Sequence, residues 1–285
     1  MFKQFAIIIL FSLSVFLTSC DEPKTATEPQ EPVLKLYVFE CGTHEFKDIS
    51  PFSPGVDKGV AKTLTNSCYL IQHQKGNMIW DAGLPDSIGT KGIDFWEGNL
   101  HLTVTNPLMK QLAEINVTPA QIQYIGISHF HFDHTGNANN FSNAQLLIQK
   151  EEYAAAYGDN PEQYFFSPES YSKLDKNKAL QLESDHDVFG DGRVIIKRAL
   201  GHTPGHQVLF VNLEQTGPIV ISGDLVHYTK NWENMRVPSF NFDKEKSLES
   251  MKMIAAFVKE KNAKFWIQHD KEQNEGIKHA PAYYQ

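Results

Sequence analysis

Between Ser128 and Gly136 the chain places three histidines and an aspartate within six residues, His129-Phe130-His131-Phe132-Asp133-His134, directly behind the apolar run Tyr124-Ile125-Gly126-Ile127. A strand that ends in such a turn aims several donor side chains into one small volume. Continued alternation would point His129 and His131 to one side and Phe130 and Phe132 to the other. Asp133 and His134 follow where the chain turns away, within reach of a second point. Imidazole nitrogen combined with carboxylate oxygen suits zinc and its first-row neighbours. So many polar groups beside apolar rings would be costly to bury without an ion, which favours a metal site over a merely polar strand end.

The ends of the chain bound what surrounds that site. Lys3 followed by the apolar stretch from Phe5 to Leu17 is too short to span a bilayer comfortably and has the make-up of an export signal. It closes on Leu17-Thr18-Ser19-Cys20, which resembles a bacterial lipoprotein signal, in which the cysteine becomes the lipidated N-terminus. The alternative is an ordinary secretory signal and a soluble secreted product. Residues 21–32 carry three prolines and few apolar groups, a tether with nothing to bury. The expected division is a signal over 1–19, a lipid-anchored Cys20 with its tether over 20–32, and one catalytic domain over 33–285 in the cell envelope. A formal charge of -8 with no basic stripe leaves no surface to neutralise phosphates, which excludes a nucleic-acid partner. Cys41 and Cys68 remain in the mature chain, and an oxidised pair or two buried thiols are both compatible with their positions.

Along the domain, strands are predicted over Val33–Glu40, Cys68–Gln74, Asn77–Trp80, Gln123–Ile127, Ala144–Gln149, Val194–Ala199, Gln207–Asn212, Pro218–Ser222 and Lys264–Gln268. The polar segment Gly42–Asn66 is expected to be a long loop over a pocket. Asn106-Pro107 looks like an N-cap opening a helix to Ile115, Lys150–Tyr157 is predicted helical, and Asp243 caps a long helix with the stripe Leu248, Met251, Ala255, Val258. Residues 158–187 are expected to be irregular, either a lid with an aromatic underside (Tyr164, Phe165, Phe166) or an excursion pinned by its rings. Asp81, in Trp80-Asp81-Ala82-Gly83, is expected to serve a turn or to support the ligands.

Three further strand ends share the pattern of the opening motif: Gly201-His202-Thr203-Pro204-Gly205-His206, Ser222-Gly223-Asp224 and Gln268-His269-Asp270. One histidine behind a strand is ordinary. Four strand ends, all bearing donor side chains, define a constellation.

With these motifs, HxHxDH at 129–134, His202, Asp224 and His269, and with Asp81 in an early DxG, the chain resembles the metallo-β-lactamase superfamily from about Val33 to its C-terminus. The resemblance implies an α/β fold of the αββα sandwich type with a two-metal site where the strands end. It implies His129, His131 and His202 as ligands of one ion, Asp133, His134 and His269 as ligands of the other, and Asp224 as the bridge. His206 is implied to support the site from outside it. Two divalent ions, zinc by donor type with iron, manganese or cobalt as alternatives, would share a water and lower its pKa from 15.7 towards 7. Attack by that bridging hydroxide makes hydrolysis the expected reaction, with Asp133 orienting the nucleophile and shuttling its proton.

A bridging aspartate in this family belongs to lactonases, thioesterases, phosphodiesterases and some organophosphate hydrolases, not to its β-lactamases. Ser128–Asn137 followed by Gly201–Gln207 looks most like the N-acyl homoserine lactonases. Ring opening of such a quorum-sensing lactone is the expected activity, with an organophosphate or phosphodiester hydrolase, or another esterase, as the alternative. A tethered metal-binding protein without activity would be expected only if a ligand were missing. One departure stands out: His227, followed by Tyr228, occupies the position where familiar lactonases carry a tyrosine that hydrogen-bonds the lactone carbonyl. Either residue is expected to donate to the developing oxyanion, worth roughly 2.7–4 kcal/mol for a well-placed donor. Phe52, Phe95, Trp96 and the aromatics at 164–166 are candidates for an acyl pocket. The partner is then a small lactone or ester, and a homodimer is compatible with the sequence.

Overall fold

The segment that begins the domain is apolar on both faces, Leu36 and Val38 on one and Tyr37 and Phe39 on the other, so it has to be covered from both sides. The computed structural model describes Met1, Phe2 and residues 34–285. The expected signal, Cys20 and the tether otherwise fall outside the described residues. Two sheets supply the cover. The first comprises β1 (Lys35–Phe46), β2 (Lys62–His73), β3 (Gly76–Trp80), β4 (Ile93–Phe95), β5 (Leu100–Thr103), β6 (Tyr124–Gly126), β7 (Gln145–Gln149) and β8 (Leu180–Leu182), in the order β4-β5-β1-β2-β3-β6-β7-β8. The second comprises β9 (His186–Asp187), β10 (Val194–Arg198), β11 (Gln207–Leu213), β12 (Gly217–Ile221) and β13 (Lys264–Trp266), in the order β13-β12-β11-β10-β9. Helices α1 (Leu108–Glu114), α2 (Phe132–Thr135), α3 (Lys150–Ala156), α4 (Thr229–Glu233), α5 (Lys244–Glu260) and α6 (Lys271–Asn274) complete it.

Three apolar layers follow. Leu36, Val38, Met78 and Trp80 meet Ile196, Leu209 and Ile221 between the sheets. Phe39, Leu70 and Ile125 meet Leu108 and Leu112 of α1 on one outer face. Val208, Phe210 and Val220 meet Met251 and Ile254 of α5 on the other. The result is the expected αββα sandwich. Each fully buried aliphatic side chain in it contributes about 1.5–3 kcal/mol.

Several boundaries differ from expectation, each for a physical reason. The polar stretch Gly42–Asn66 is strand at both ends and a loop between them: β1 runs on to Phe46 and β2 starts at Lys62, because His44, Phe46 and Leu64 turn to a buried face while Glu45 stays exposed, and the middle passes over the cavity through Pro51 and Phe52. The segment before α1 carries β4 and β5, which extend the first sheet. Asn106 does not cap α1; the Asp86 carboxylate accepts from Leu108 N and Met109 N instead. The long helix does start at Asp243, which accepts from Lys246 N at 2.9 Å, but its buried stripe runs through Met251 and Ile254. Cys41 and Cys68 are joined as a disulfide across β1 and β2, closing a sequence separation of 27. A loop of that size stabilises the fold by about 3.5 kcal/mol in the chain-entropy account.

Candidate metal centre

All the donor-bearing turns emerge at one end of the sandwich. His129 lies three residues past β6, His202 four past β10, Asp224 three past β12 and His269 three past β13. Gly201 makes the second of these turns feasible. Its φ is +126°, and a Cβ there would stand 2.2 Å from Ser247 N at the start of α5.

The donor atoms form two groups that meet at Asp224. His129 Nε2 and His131 Nδ1 are 2.8 Å apart, and His202 Nε2 lies 3.1 Å from each. Asp224 Oδ2 is 3.2 Å from His202 Nε2 and 3.7 Å from His129 Nε2. Its other oxygen, Oδ1, is 3.1 Å from His134 Nε2 and 2.9 Å from His269 Nε2. Asp133 Oδ2 stands 3.8 Å from both of those nitrogens. Asp224 Oδ1 is buried and makes no hydrogen bond. Converging imidazole nitrogens and an orphaned carboxylate oxygen are what ions bound at about 2.0–2.2 Å require, so the residues fit divalent metals. Burial works to raise the Asp224 carboxyl, but His269, His227 and His134 outweigh it and hold it well below the usual range.

Each converging imidazole is held by its other nitrogen. His134 Nδ1 donates to Asp81 Oδ2 at 2.8 Å, His131 Nε2 to Tyr164 O at 3.0 Å, His202 Nδ1 to Asn241 Oδ1 at 3.0 Å and His269 Nδ1 to Thr65 O at 2.7 Å. Such acceptors fix the tautomer and aim the free nitrogen inward. Asp81 also accepts from Ser128 N, Ser128 Oγ and Gln268 Nε2, with its own backbone at φ +56°. That left-handed conformation costs of order 1 kcal/mol in a non-glycine residue, and here it turns the carboxylate towards the ligands it supports. His206 stays outside the donor set, as expected: it bonds Ala199 O and accepts from Asp224 N.

Three expectations need correction. Phe130 and Phe132 do not share a side, because β6 ends at Gly126 and Phe132 opens α2. Phe130 enters the core, while Phe132 lines the cavity, stacked on Phe95 at 5.3 Å. Tyr228 is not an oxyanion donor: its hydroxyl bonds Ser53 Oγ at 3.0 Å and the residue is absent from the cavity wall. His227 does line the cavity, but its Nε2 lies 3.0 Å from Asp224 Oδ2. Burial lowers His227 to about 4, leaving a neutral ring with one N–H. An ionised Asp224 can only accept, so that N–H is committed and Nδ1 can only accept.

Two buried residues escaped sequence reasoning. His44, in the stretch expected to be a loop, stands 3.2 Å from Asp133 Oδ2; resumed alternation through Thr43-His44-Glu45-Phe46 was its signal. Glu152 of α3 accepts from Phe130 N, Thr203 Oγ1 and Gly205 N, tying together the turns that carry His131 and His202. Burial raises its carboxyl to about 7, and no sequence pattern marks it.

Above the donors opens a cavity of about 550 Å³, walled by Phe46, Phe52, Phe95, Trp96, Phe165 and Phe240 among others, with His131, Asp133, Asp224 and His269 in its floor. Phe52, Phe95 and Trp96 are where an acyl pocket was expected, with Phe165 and Phe166. Tyr164 lies outside the lining and serves through its carbonyl. The 158–187 excursion is both pinned and lid-like, since Tyr171 is buried in the core while Phe165 is 63% exposed at the cavity.

Fold and donor set together define a metal-dependent hydrolase. The sequence profile of the metallo-beta-lactamase superfamily matches residues 61–261, and the chain belongs to that superfamily. An N-acyl homoserine lactonase of a Bacillus species is 30% identical over 260 residues, covering 88% of this chain and 99% of its own length. Another, from Azorhizobium caulinodans, is 26% identical over 266 residues, covering 88% and 98%. A solved N-acyl homoserine lactone hydrolase, with N-hexanoyl-L-homoserine bound at its catalytic metal centre, superposes with a TM-score of 0.76 at 29% identity, covering 89% of this chain and all of that one. Ester hydrolysis with metal is the activity class of this chain.

Proposed function

We propose that this protein opens the lactone ring of N-acyl homoserine lactones and so quenches quorum signals. The observation that carries the reading is the division of the two Asp224 oxygens between separate histidine sets, at the floor of an aromatic cavity. His129, His131 and His202 would hold one ion, Asp133, His134 and His269 the other, and Asp224 both, with zinc favoured by donor type. A metal pair bound there supplies Lewis acidity and a water of lowered pKa. Asp133, in the cavity floor, would take the proton released by the attacking water and pass it to the departing ring oxygen. His227 holds Asp224 in place, and the aromatic wall takes the acyl chain. Product binding in the solved relative and the identity to curated lactonases support the same substrate.

Among the described residues no lysine or arginine lines the cavity, which favours a neutral lactone over a phosphodiester anion. A fragment starting near Val33, analysed for metal and assayed against N-acyl homoserine lactones, a phosphotriester and a cephalosporin, tests the proposal. Lactone turnover with two bound ions is the expected result; turnover of the phosphotriester alone would replace it. The signal-like N-terminus supports envelope anchoring through Cys20, and labelled palmitate should enter the wild type but not Cys20→Ser.

A further inference from the structure

β1 changes face at Cys41. Up to that point its even-numbered residues pair with odd-numbered residues of β2, Leu36 with Ile71, Val38 with Tyr69 and Glu40 with Ser67. Beyond an irregularity between Glu40 and Gly42, even pairs with even, Gly42 with Asn66 and His44 with Leu64. One extra residue in an antiparallel strand has that consequence: every later side chain moves to the opposite face. Leu36 and Val38 therefore lie between the sheets, whereas His44 lines the cavity. The inserted residue is Cys41, and its bond to Cys68 ties the irregularity to the neighbouring strand. Without the insertion, position 44 would share the face of Leu36 and Val38, where an unpartnered imidazole is costly.

The seven-residue donor set leaves His44 unexplained. It is 4% exposed, and neither ring nitrogen has a well-directed hydrogen bond. Its Nε2 nevertheless stands 3.2 Å from Asp133 Oδ2, the oxygen that faces His134 and His269. Hydrogen bonds in such sites are often off-line before the ligand arrives and tighten with it. His227 stands in the same relation to Asp224, at 3.0 Å. Each carboxylate of the centre thus has one imidazole beside it that is not a motif ligand.

We propose that His44 is a positioning residue, which orients Asp133 through Oδ2 and so sets how that carboxylate meets the second ion and the substrate. The inference rests on the reading of Asp133 as ligand and proton carrier. The test uses the zinc-loaded enzyme with His44→Ala, His44→Gln, Asp133→Asn and the His44→Ala, Asp133→Asn double variant. His44→Ala should lower kcat on N-hexanoyl homoserine lactone roughly 10–100-fold, with KM changed less, and weaken zinc retention against a chelator by a similar factor. His44→Gln, whose amide can place an N–H near the position of Nε2, should recover much of both. The double variant should be no worse than Asp133→Asn alone. Additive losses, or a His44→Ala enzyme with wild-type kcat and zinc retention, would overturn the proposal. Should His44→Ala fail to fold, His44→Phe keeps a ring and removes the nitrogens. If the wild type binds zinc yet leaves the lactone intact, the lactonase reading has failed, and the chelator titration still decides His44: equal retention in both proteins overturns its role.

Discussion

The floor and the wall of the cavity are built on opposite principles. In the floor, side chains are buried or, at His131 and Asp133, largely so, and nearly every donor has a second contact that fixes it, as Asp81 fixes His134 and Thr65 fixes His269. In the wall, Phe95 and Trp96 are 40% and 42% exposed, and their side chains pack through ring contacts, Phe95 on Phe132 and Trp96 against Phe46, Phe52 and Phe240. Directional bonds hold a geometry to fractions of an ångström, as reaction chemistry demands. Ring contacts tolerate displacement, as the binding of a flexible apolar chain allows. Changes in the floor should therefore strike kcat and metal content, and changes in the wall should strike KM.

The largest effect is expected at the bridge. Asp224→Ala should lower turnover by more than roughly 100-fold, beyond what supporting residues cause, and reduce the metal content measured by emission spectroscopy. Retention of two ions at full turnover would break the division between floor and wall. Asp81→Ala, one bond further out, should cost roughly 10–100-fold in kcat or zinc affinity, since His134 loses its orienting acceptor. A purely structural Asp81 would lower stability and leave the kcat of the folded fraction alone.

Glu152 extends the comparison to pH. Its carboxyl is raised by burial to about 7 from an ordinary 4.5, so the folded protein keeps a proton that the unfolded chain releases. The unfolded state then binds fewer protons across that window, and stability falls as pH rises through it, by at most about 3 kcal/mol. Urea unfolding at about pH 5 and about pH 8 should show this decline in the wild type and a smaller one in Glu152→Gln. Parallel declines in both would remove the effect from Glu152.

Wall changes should be milder. Trp96→Ala gives up about 1 kcal/mol of half-buried apolar contact, raising KM for a long-chain lactone roughly fivefold with kcat unchanged. A loss in kcat instead would mean that the wall also orients the reacting bond. Smallest is Tyr228→Phe, which removes the bond to Ser53 and should cost about 1 kcal/mol in thermal unfolding while turnover stays near wild type. A large loss of kcat would restore the oxyanion role that the structure argues against.

Much of the floor was legible in the chain because it is written as local spacing. A strand, a turn and a donor side chain lie within a few residues at His129, His202, Asp224 and His269, so each turn could be recognised alone. The sandwich was legible through the family resemblance and through runs of buried strand such as Gln207–Leu213. The wall was visible only as a list of aromatics, since Phe46 and Phe240 reach it from segments far apart in sequence. The two ends of the span 42–66 were misread because polar residues on an exposed strand face resemble a loop, and a bulge broke the alternation that would have shown otherwise; its middle is the loop expected over the cavity.

By itself, then, the sequence determined the donor types, their order and the chemistry they suit, because ligand identity and turn spacing are properties of short segments. Tertiary structure alone decided that Asp224 divides its oxygens between two histidine sets, that Tyr228 faces Ser53, and that His44 meets Asp133. Those are contacts between residues from tens to nearly two hundred positions apart. They are set by strand register and by a one-residue bulge, which no local pattern of residue types encodes.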